Sequence, residues 1–227
     1  MELEQSFIAL IEQSIKTNWY LNALTDYKGI TLQYRDVARK IEKIHILLEN
    51  AGIEKGDKIA ICGRNSAHWT VTYLAVITYG AVVVPILHEF KPDNIHHIVN
   101  HSEAKAVLAA SSNWENMNER MMPDVKLFMM LDNFSIIHSK SKEVRVVRDR
   151  INEYFGKKYP RSFTSNDVRY HVEKPEEFAA ILDIYNRYPI CELTIHPRVM
   201  RQLYRGEADR AAFAKYLPHC RMPVCYN

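Results

Sequence analysis

Between residues 31 and 131 the apolar pattern alternates between two periods, and that alternation limits the fold more than any other feature of the chain. Residues 4–20 have helical spacing, and a turn at Tyr27-Lys28-Gly29 follows. Leu32, Val37, Ile41, Ile44, Leu47 and Leu48 then recur three or four apart, which predicts a helix capped by Thr31 and ended by Ala51-Gly52. Asp57–Cys62 is a short apolar run and reads as a strand. Asn65-Ser66 can cap a helix reaching Tyr79, and Gly80 can stop it. A second strand is expected at 81–86, a helix at 92–101 opened by Pro92, and a third strand at 106–109. A short helix near 113–120 leads to a fourth strand at 125–131. Strands that are apolar on both faces and separated by helices predict an α/β fold with a parallel sheet covered by helices. Such sheets bind ligands beyond the carboxyl ends of their strands. Arg64, Asn65 and His88 fall at those ends, either as ligand contacts or as solvated loop residues.

Glycine narrows the chemistry. There are seven in 227 residues, and none lies between Gly80 and Gly156. A phosphate cradle needs clustered glycines, because backbone N–H groups must approach the anion without a Cβ in the way. Neither GxGxxG nor GxxxxGK[ST] occurs. ATP and coenzyme A are therefore not expected as ligands of this chain. Cys62, Cys191, Cys220 and Cys225 match neither a CxxC redox motif nor a zinc set, so reduced thiols are expected. His97 and His101 are spaced i, i+4 but lack the glutamate of an HExxH motif, and no metal is expected. No apolar run is long enough to span a membrane. Glu2 and Glu4 stand where a signal peptide carries positive charge, and a cytoplasmic location is the expectation.

The net charge of +3 conceals an asymmetry. Residues 1–138 hold 13 Lys/Arg against 16 Asp/Glu, whereas residues 139–227 hold 17 against 11. All three tryptophans, Trp19, Trp69 and Trp114, lie in the first stretch. Two units joined near 138/139 are one reading, and uneven surface charge on one domain is the other.

Three runs carry a resemblance. Gly56-Asp57-Lys58-Ile59-Ala60-Ile61, Arg64-Asn65-Ser66-Ala67-His68-Trp69 and Gly80-Ala81-Val82-Val83-Val84-Pro85-Ile86 resemble the N-terminal part of AMP-forming acyl-CoA synthetases of the long-chain fatty acid type. Ile98–Lys105 and Ile30–Tyr34 continue the pattern, over about residues 20–135. The resemblance implies an ancestor that joins a carboxylic acid to AMP and then to coenzyme A. That family's phosphate loop, adenine motif, ribose-binding aspartate and catalytic lysine belong to segments beyond the matched stretch. No catalytic residue is carried over.

Residues 139–227 read as further β/α units in the rhythm of a partial TIM barrel. Ser141 opens an amphipathic helix ended by Gly156, and a weak strand is expected from Ser162 toward Arg169. Pro175 opens another helix, Cys191–Ile195 is a strand, a helix follows near 208–216, and a strand begins at Met222. Glu192-Leu193-Thr194-Ile195-His196-Pro197-Arg198, Gln202-Leu203-Tyr204-Arg205-Gly206, Lys174–Phe178 and Val224-Cys225-Tyr226-Asn227 resemble the middle of tRNA-dihydrouridine synthases, over about residues 145–227. The resemblance implies contacts to FMN from His196, Arg198 and Asn227. It also puts Asp167 where that family has a flavin-contacting lysine, and a carboxylate there would repel a reduced flavin. Arg145, Arg148, Arg150 and Arg205 are candidate contacts to a tRNA backbone, or a solvated basic face.

Three functional classes follow: a composite chain that completes neither reaction, a vestigial FMN- or tRNA-binding protein, and a non-catalytic interaction module. An open sheet edge also predicts edge-strand pairing or a homo-oligomer.

Overall fold

The computed structural model describes residues 7–170, 193–195, 214, 217–221 and 224–226. Ile8, Ile11 and Ile15 share one side of α1 (Phe7–Thr17) and turn it onto the core. A hairpin that the sequence pattern did not announce comes next. β1 (Asn22–Thr25) pairs antiparallel with β2 (Thr31–Gln33). Thr31 therefore faces Thr25 across the hairpin, hydroxyl to hydroxyl at 3.2 Å, and does not cap a helix. α2 (Tyr34–Asn50) starts two residues later than expected, where the Asp36 carboxylate accepts from the Gln33 backbone N–H.

The alternation then follows the expected order, except that the short helix expected near 113–120 is one turn at Ser111–Trp114 and a separate 3₁₀ turn at Glu119–Met121. β3 (Lys58–Cys62), α3 (Ala67–Tyr79), β4 (Val82–Ile86), α4 (Pro92–His101), β5 (Ala106–Ala109), α5 (Ser111–Trp114) and β6 (Leu127–Met130) follow in order. Gly80 takes φ +86°, a left-handed conformation that ends α3 and lets the chain turn into β4. The sheet order is β4-β3-β5-β6-β7, with β7 (Ile136–Ser139) antiparallel to β6 and the other neighbours parallel. The strand period of two sends alternate residues to opposite faces. Ile59, Ile61, Leu108, Leu127 and Met129 join the core under α1, α2 and α3. Ala60, Cys62, Val107, Ala109 and Phe128 join the core under α4. Each fully buried Ile, Leu or Phe among them contributes about 1.5–3 kcal/mol.

Residues 139–170 depart from the expected pattern. The single helix expected from Ser141 to Gly156 is two, α6 (Glu143–Asp149) and α7 (Ile151–Lys158), divided where Arg150 leaves helical geometry at φ −110°. Gly156 lies inside α7. The weak strand expected near 162–169 is instead a 3₁₀ turn at Ser165–Asp167. There the Asp167 carboxylate accepts from the Thr164 N–H at 2.7 Å and from its hydroxyl at 2.9 Å. The expected flavin-facing position is thus a capping residue of a local turn.

The larger compact unit spans Phe7–His171, and the smaller comprises Met1–Ser6 with Val172–Asn227. The boundary expected at 138/139 falls inside the larger unit, for a physical reason. β7 hydrogen-bonds into the sheet, and Val144, Val147, Phe163, Val168 and Tyr170 are buried in the same core as α1 and α2. Polar contacts fasten the same segment. Lys43 donates to the Asn152 side chain at 2.8 Å. Tyr159 donates its hydroxyl proton to buried Glu42, and the Tyr170 backbone N–H donates to buried Glu12 at 2.7 Å.

In the smaller unit, β8 (Leu193–Ile195) and β9 (Val224–Tyr226) form a parallel pair, with Leu193 opposite Val224 and Ile195 opposite Tyr226. The helices expected from Pro175 and near 208–216 lie outside the described residues, apart from helical Ala214. The α/β architecture of a helix-flanked sheet stands, whereas one two-stranded ladder among the described residues does not support the expected partial barrel.

Candidate functional site at the carboxyl rim of the sheet

The strand order reverses between β3 and β5, so the crevice beyond their carboxyl ends is where a ligand of such a sheet would sit. That crevice is floored by Gly63 and Ala110. A Cβ on Gly63 would meet the Leu131 Cδ2 at 2.7 Å and the Ala110 Cβ at 3.2 Å. A side chain at position 63 would push the Leu131 methyl group and press on Ala110, so apolar atoms line the floor closely.

Two helices start at this rim, and a helix start is a natural anion site because its first N–H groups are unpaired. Here side chains of the protein already occupy them. Asp26, from the turn of the β1–β2 hairpin, accepts from the Ala67 N–H at 2.7 Å. Ser66 accepts from the Trp69 N–H at 3.1 Å. At the next strand end, Asp132 accepts from the Ser111 N–H at 2.7 Å. Carboxylates thus accept from the first N–H group of each helix, where a phosphate would otherwise approach.

The residues expected to form the site are placed at the rim but not together. Arg64 and Asn65 are exposed on the loop after β3. His88 is on the loop after β4, with its ring 3.1 Å from the Glu89 carboxylate and its carbonyl accepting from the Asn113 side chain at 2.8 Å. Among the described residues, no hydrogen bond, ion pair or ring contact joins His88 to Arg64 or Asn65.

Among the described residues, Cys62 and His45 do not form a nucleophile–base pair. Cys62 is fully buried, and burial pushes its thiol up to about 11, so it is a packing residue. His45 is buried and held neutral-leaning by burial, with its Nε2 2.9 Å from the Ala75 carbonyl. Among the described residues no group of three His, Cys, Asp or Glu could hold a metal ion. No helix among them is long and apolar enough to cross a membrane.

The arginines offered for a tRNA backbone have local partners. Arg145 donates to the Ile137 carbonyl at 2.9 Å, and Arg148 to the Phe134 and Asn133 carbonyls at 2.6 and 2.9 Å. Arg150 pairs with Glu153. Arg145 and Arg148 tie α6 to β7 and to the β6–β7 turn, a role that sequence spacing gave no means of finding. His196, Arg198, Asn227 and Arg205 lie outside the described residues.

Comparison with known proteins gives a consistent picture. Residues 12–182 match the family of AMP-binding enzymes. The chain is 23% identical over 158 residues to the fatty acyl-CoA synthetase A of Dictyostelium discoideum, covering 69% of this chain and 23% of that protein. It is likewise 23% identical over 127 residues to the long chain acyl-CoA synthetase 3 of Arabidopsis thaliana, covering 56% of this chain and 19% of that one. Among solved structures, an anthranilate CoA ligase in complex with anthranoyl-AMP superposes with a TM-score of 0.54 at 15% identity. That likeness, which is one of fold, covers 59% of this chain and 26% of the ligase. The chain thus spans about a quarter of the length of these relatives. The match runs unbroken through the expected junction, and nothing in these comparisons supports a dihydrouridine synthase segment or a composite chain.

Proposed function

Because this chain belongs to the AMP-binding enzyme family, we propose that residues 7–171 act as the N-terminal scaffold of an acyl-CoA ligase and do not themselves form an acyl-adenylate. One observation carries this reading. Asp26, Ser66 and Asp132 cap the Ala67, Trp69 and Ser111 N–H groups at the switch crevice, which sets two carboxylates where a nucleotide phosphate would approach. The sequence agrees, having no glycine-rich loop to supply another cradle. The scaffold would fix the geometry of a sheet on which ligand-binding segments of a longer ligase could rest. The test is acid-dependent exchange of labelled pyrophosphate into ATP by the purified 227-residue chain, across short, long and aromatic carboxylic acids. No exchange above the blank is expected, and acid-dependent exchange would overturn the proposal.

A second reading concerns the smaller unit. β8 and β9 are parallel neighbours with Ile195 opposite Tyr226, and His196 and Asn227 are the next residues in sequence after those two. Adjacent parallel strands followed by a histidine and an asparagine suit a remnant FMN site with His196, Arg198 and Asn227 as contacts. The family match reaches residue 182, so only residues 183–227 remain to carry this resemblance. Flavin absorbance retained through purification, or saturable quenching of added FMN, is the expected sign. Unchanged FMN fluorescence would dismiss it. A tRNA contact would belong to the same unit.

Pairing of chains through the sheet edge is less favoured. Pro85 removes one backbone donor from the edge strand β4, a usual way to blunt an edge. A compact monomer in size exclusion is the expected result.

A further inference from the structure

We propose that a groove on the helical flank of the larger unit binds a small amphipathic oxyanion, a phosphate or carboxylate head on a compact apolar body. The groove encloses about 240 Å³ between α2, the β6–β7 turn and α7. Three cations line it, Lys40 and Lys43 from α2 and Arg148 from α6, beside an apolar floor that includes Ile44, Phe134 and Ile151.

The cations lack carboxylate partners. Among the described residues no ion pair joins Lys40, Lys43 or Arg148 to an acid. Lys43 spends one donor on the Asn152 amide, and Lys40 lies 3.4 Å from the His68 Nε2. Arg148 uses its Nε and one terminal nitrogen on backbone carbonyls, leaving further N–H groups for another acceptor. Three of the acids nearby in sequence are engaged elsewhere. Asp36 accepts from the Gln33 N–H and faces Arg39, Asp132 accepts from the Ser111 N–H, and Glu153 pairs with Arg150. Three positive groups around one cavity therefore repel one another, offset only by Asp36 near Lys40 and by the Phe134 and Phe155 rings beneath the two lysines. Consistent with this, burial, and then Lys40, Arg39 and Arg148, lower the pKa of Lys43. Burial lowers that of Lys40 against the opposing pull of Asp36.

A bound oxyanion would relieve that repulsion and accept charge-assisted hydrogen bonds from two long, adaptable ammonium groups and a planar guanidinium. The adjoining apolar wall would hold a ring or short chain, as small-molecule sites combine an apolar lining with a few polar anchors. This site is distinct from the crevice between β3 and β5. It depends on α6 and α7, which complete the larger unit.

The test uses the whole 227-residue chain and amide-resolved NMR at low salt, with four probes: phenyl phosphate, benzoate, inorganic phosphate and phenol. Saturable shifts at Lys43, Phe134 and Asn152 are expected for phenyl phosphate or benzoate, and whichever binds more tightly identifies the head group. Phenol and inorganic phosphate should each bind at least about fivefold more weakly, having only half of the recognised chemistry. Lys43→Gln should weaken binding about tenfold while leaving the dispersed amide spectrum intact, and Lys43→Arg should keep it within about twofold. Binding should also weaken as salt is raised. The proposal fails if no probe gives saturable shifts up to about 10 mM, a range that would detect even weak millimolar binding. It fails equally if Lys43→Gln binds phenyl phosphate or benzoate as well as the parent chain does.

Discussion

Replacing Phe163 with alanine tests whether the segment after residue 138 is structurally part of the unit before it. Phe163 is 6% exposed. Its ring lies 5.8 Å from that of Trp19 at the end of α1, 5.3 Å from Phe155 and 4.7 Å from Tyr159. The last two contacts are edge-to-face, the favoured arrangement for aromatic pairs. Truncating a buried phenylalanine costs about 3–5 kcal/mol, through lost transfer energy and an unfilled cavity. Phe163 sits near the margin of its core, which places the expectation at the lower end, about 3 kcal/mol. For a unit of this size that corresponds to a fall in melting temperature of about 6–12 °C. Tryptophan fluorescence is the right assay, because Trp19, Trp69 and Trp114 all lie in the larger unit. If residues 139–171 were a separate body, the tryptophan-monitored transition would not respond. A shift below about 2 °C would therefore refute the assignment of this segment to the larger unit.

Two further predictions concern the same unit. Gly63→Ala should cost about 1–3 kcal/mol in urea unfolding, because the new methyl group meets buried Leu131 and Ala110; an unchanged midpoint would show that the strand ends can part freely. Acidification should also destabilise the unit. Burial depresses the pKa of His45, and burial followed by the Lys40 charge depresses that of His68. The unfolded chain binds these protons first, so stability is full above the usual histidine value and declines as pH falls below about 6.5, by at most about 1.4 kcal/mol per pH unit for each proton. His45→Gln should flatten part of that slope in denaturant titrations between neutral and mildly acidic pH, and a slope unchanged by the substitution would rule out His45 as a contributor.

The central sheet was legible because its signals are local. Ser66 caps α3 and Gly80 ends it as the residue types require, and Pro92–His101 forms α4 over the residues that the pattern marked. The β1–β2 hairpin was not legible, since Leu32 fits a helical stripe as well as it fits a strand, and only pairing with Leu24 decides between them. β7 was missed for the same reason: Ile136–Ser139 is too short to show a period, and the ladder with β6 makes it a strand. The false boundary at 138/139 came from charge. Arginines 145 and 148 looked like a separate basic surface, yet they donate to carbonyls of the preceding turn, a partnership between side chain and backbone that leaves no trace in composition. At the rim, Arg64, Asn65 and His88 were found by topology alone. What closes the rim is Asp26, 41 residues before the N–H group it caps, and no spacing rule links the two.

The hydrogen bond from the Tyr170 backbone to Glu12 spans 158 residues and is buried. Protein synthesis runs from the N-terminus at a finite pace. A nascent chain that has released only its first 138 residues carries the carboxylates of Glu12 and Glu42 and the ring of Trp19 without the partners that later cover them. The unit lacks its last strap until every strand of the sheet has been synthesised, so the time taken to translate residues 139–170 sets the earliest moment at which the Glu12 carboxylate can be covered.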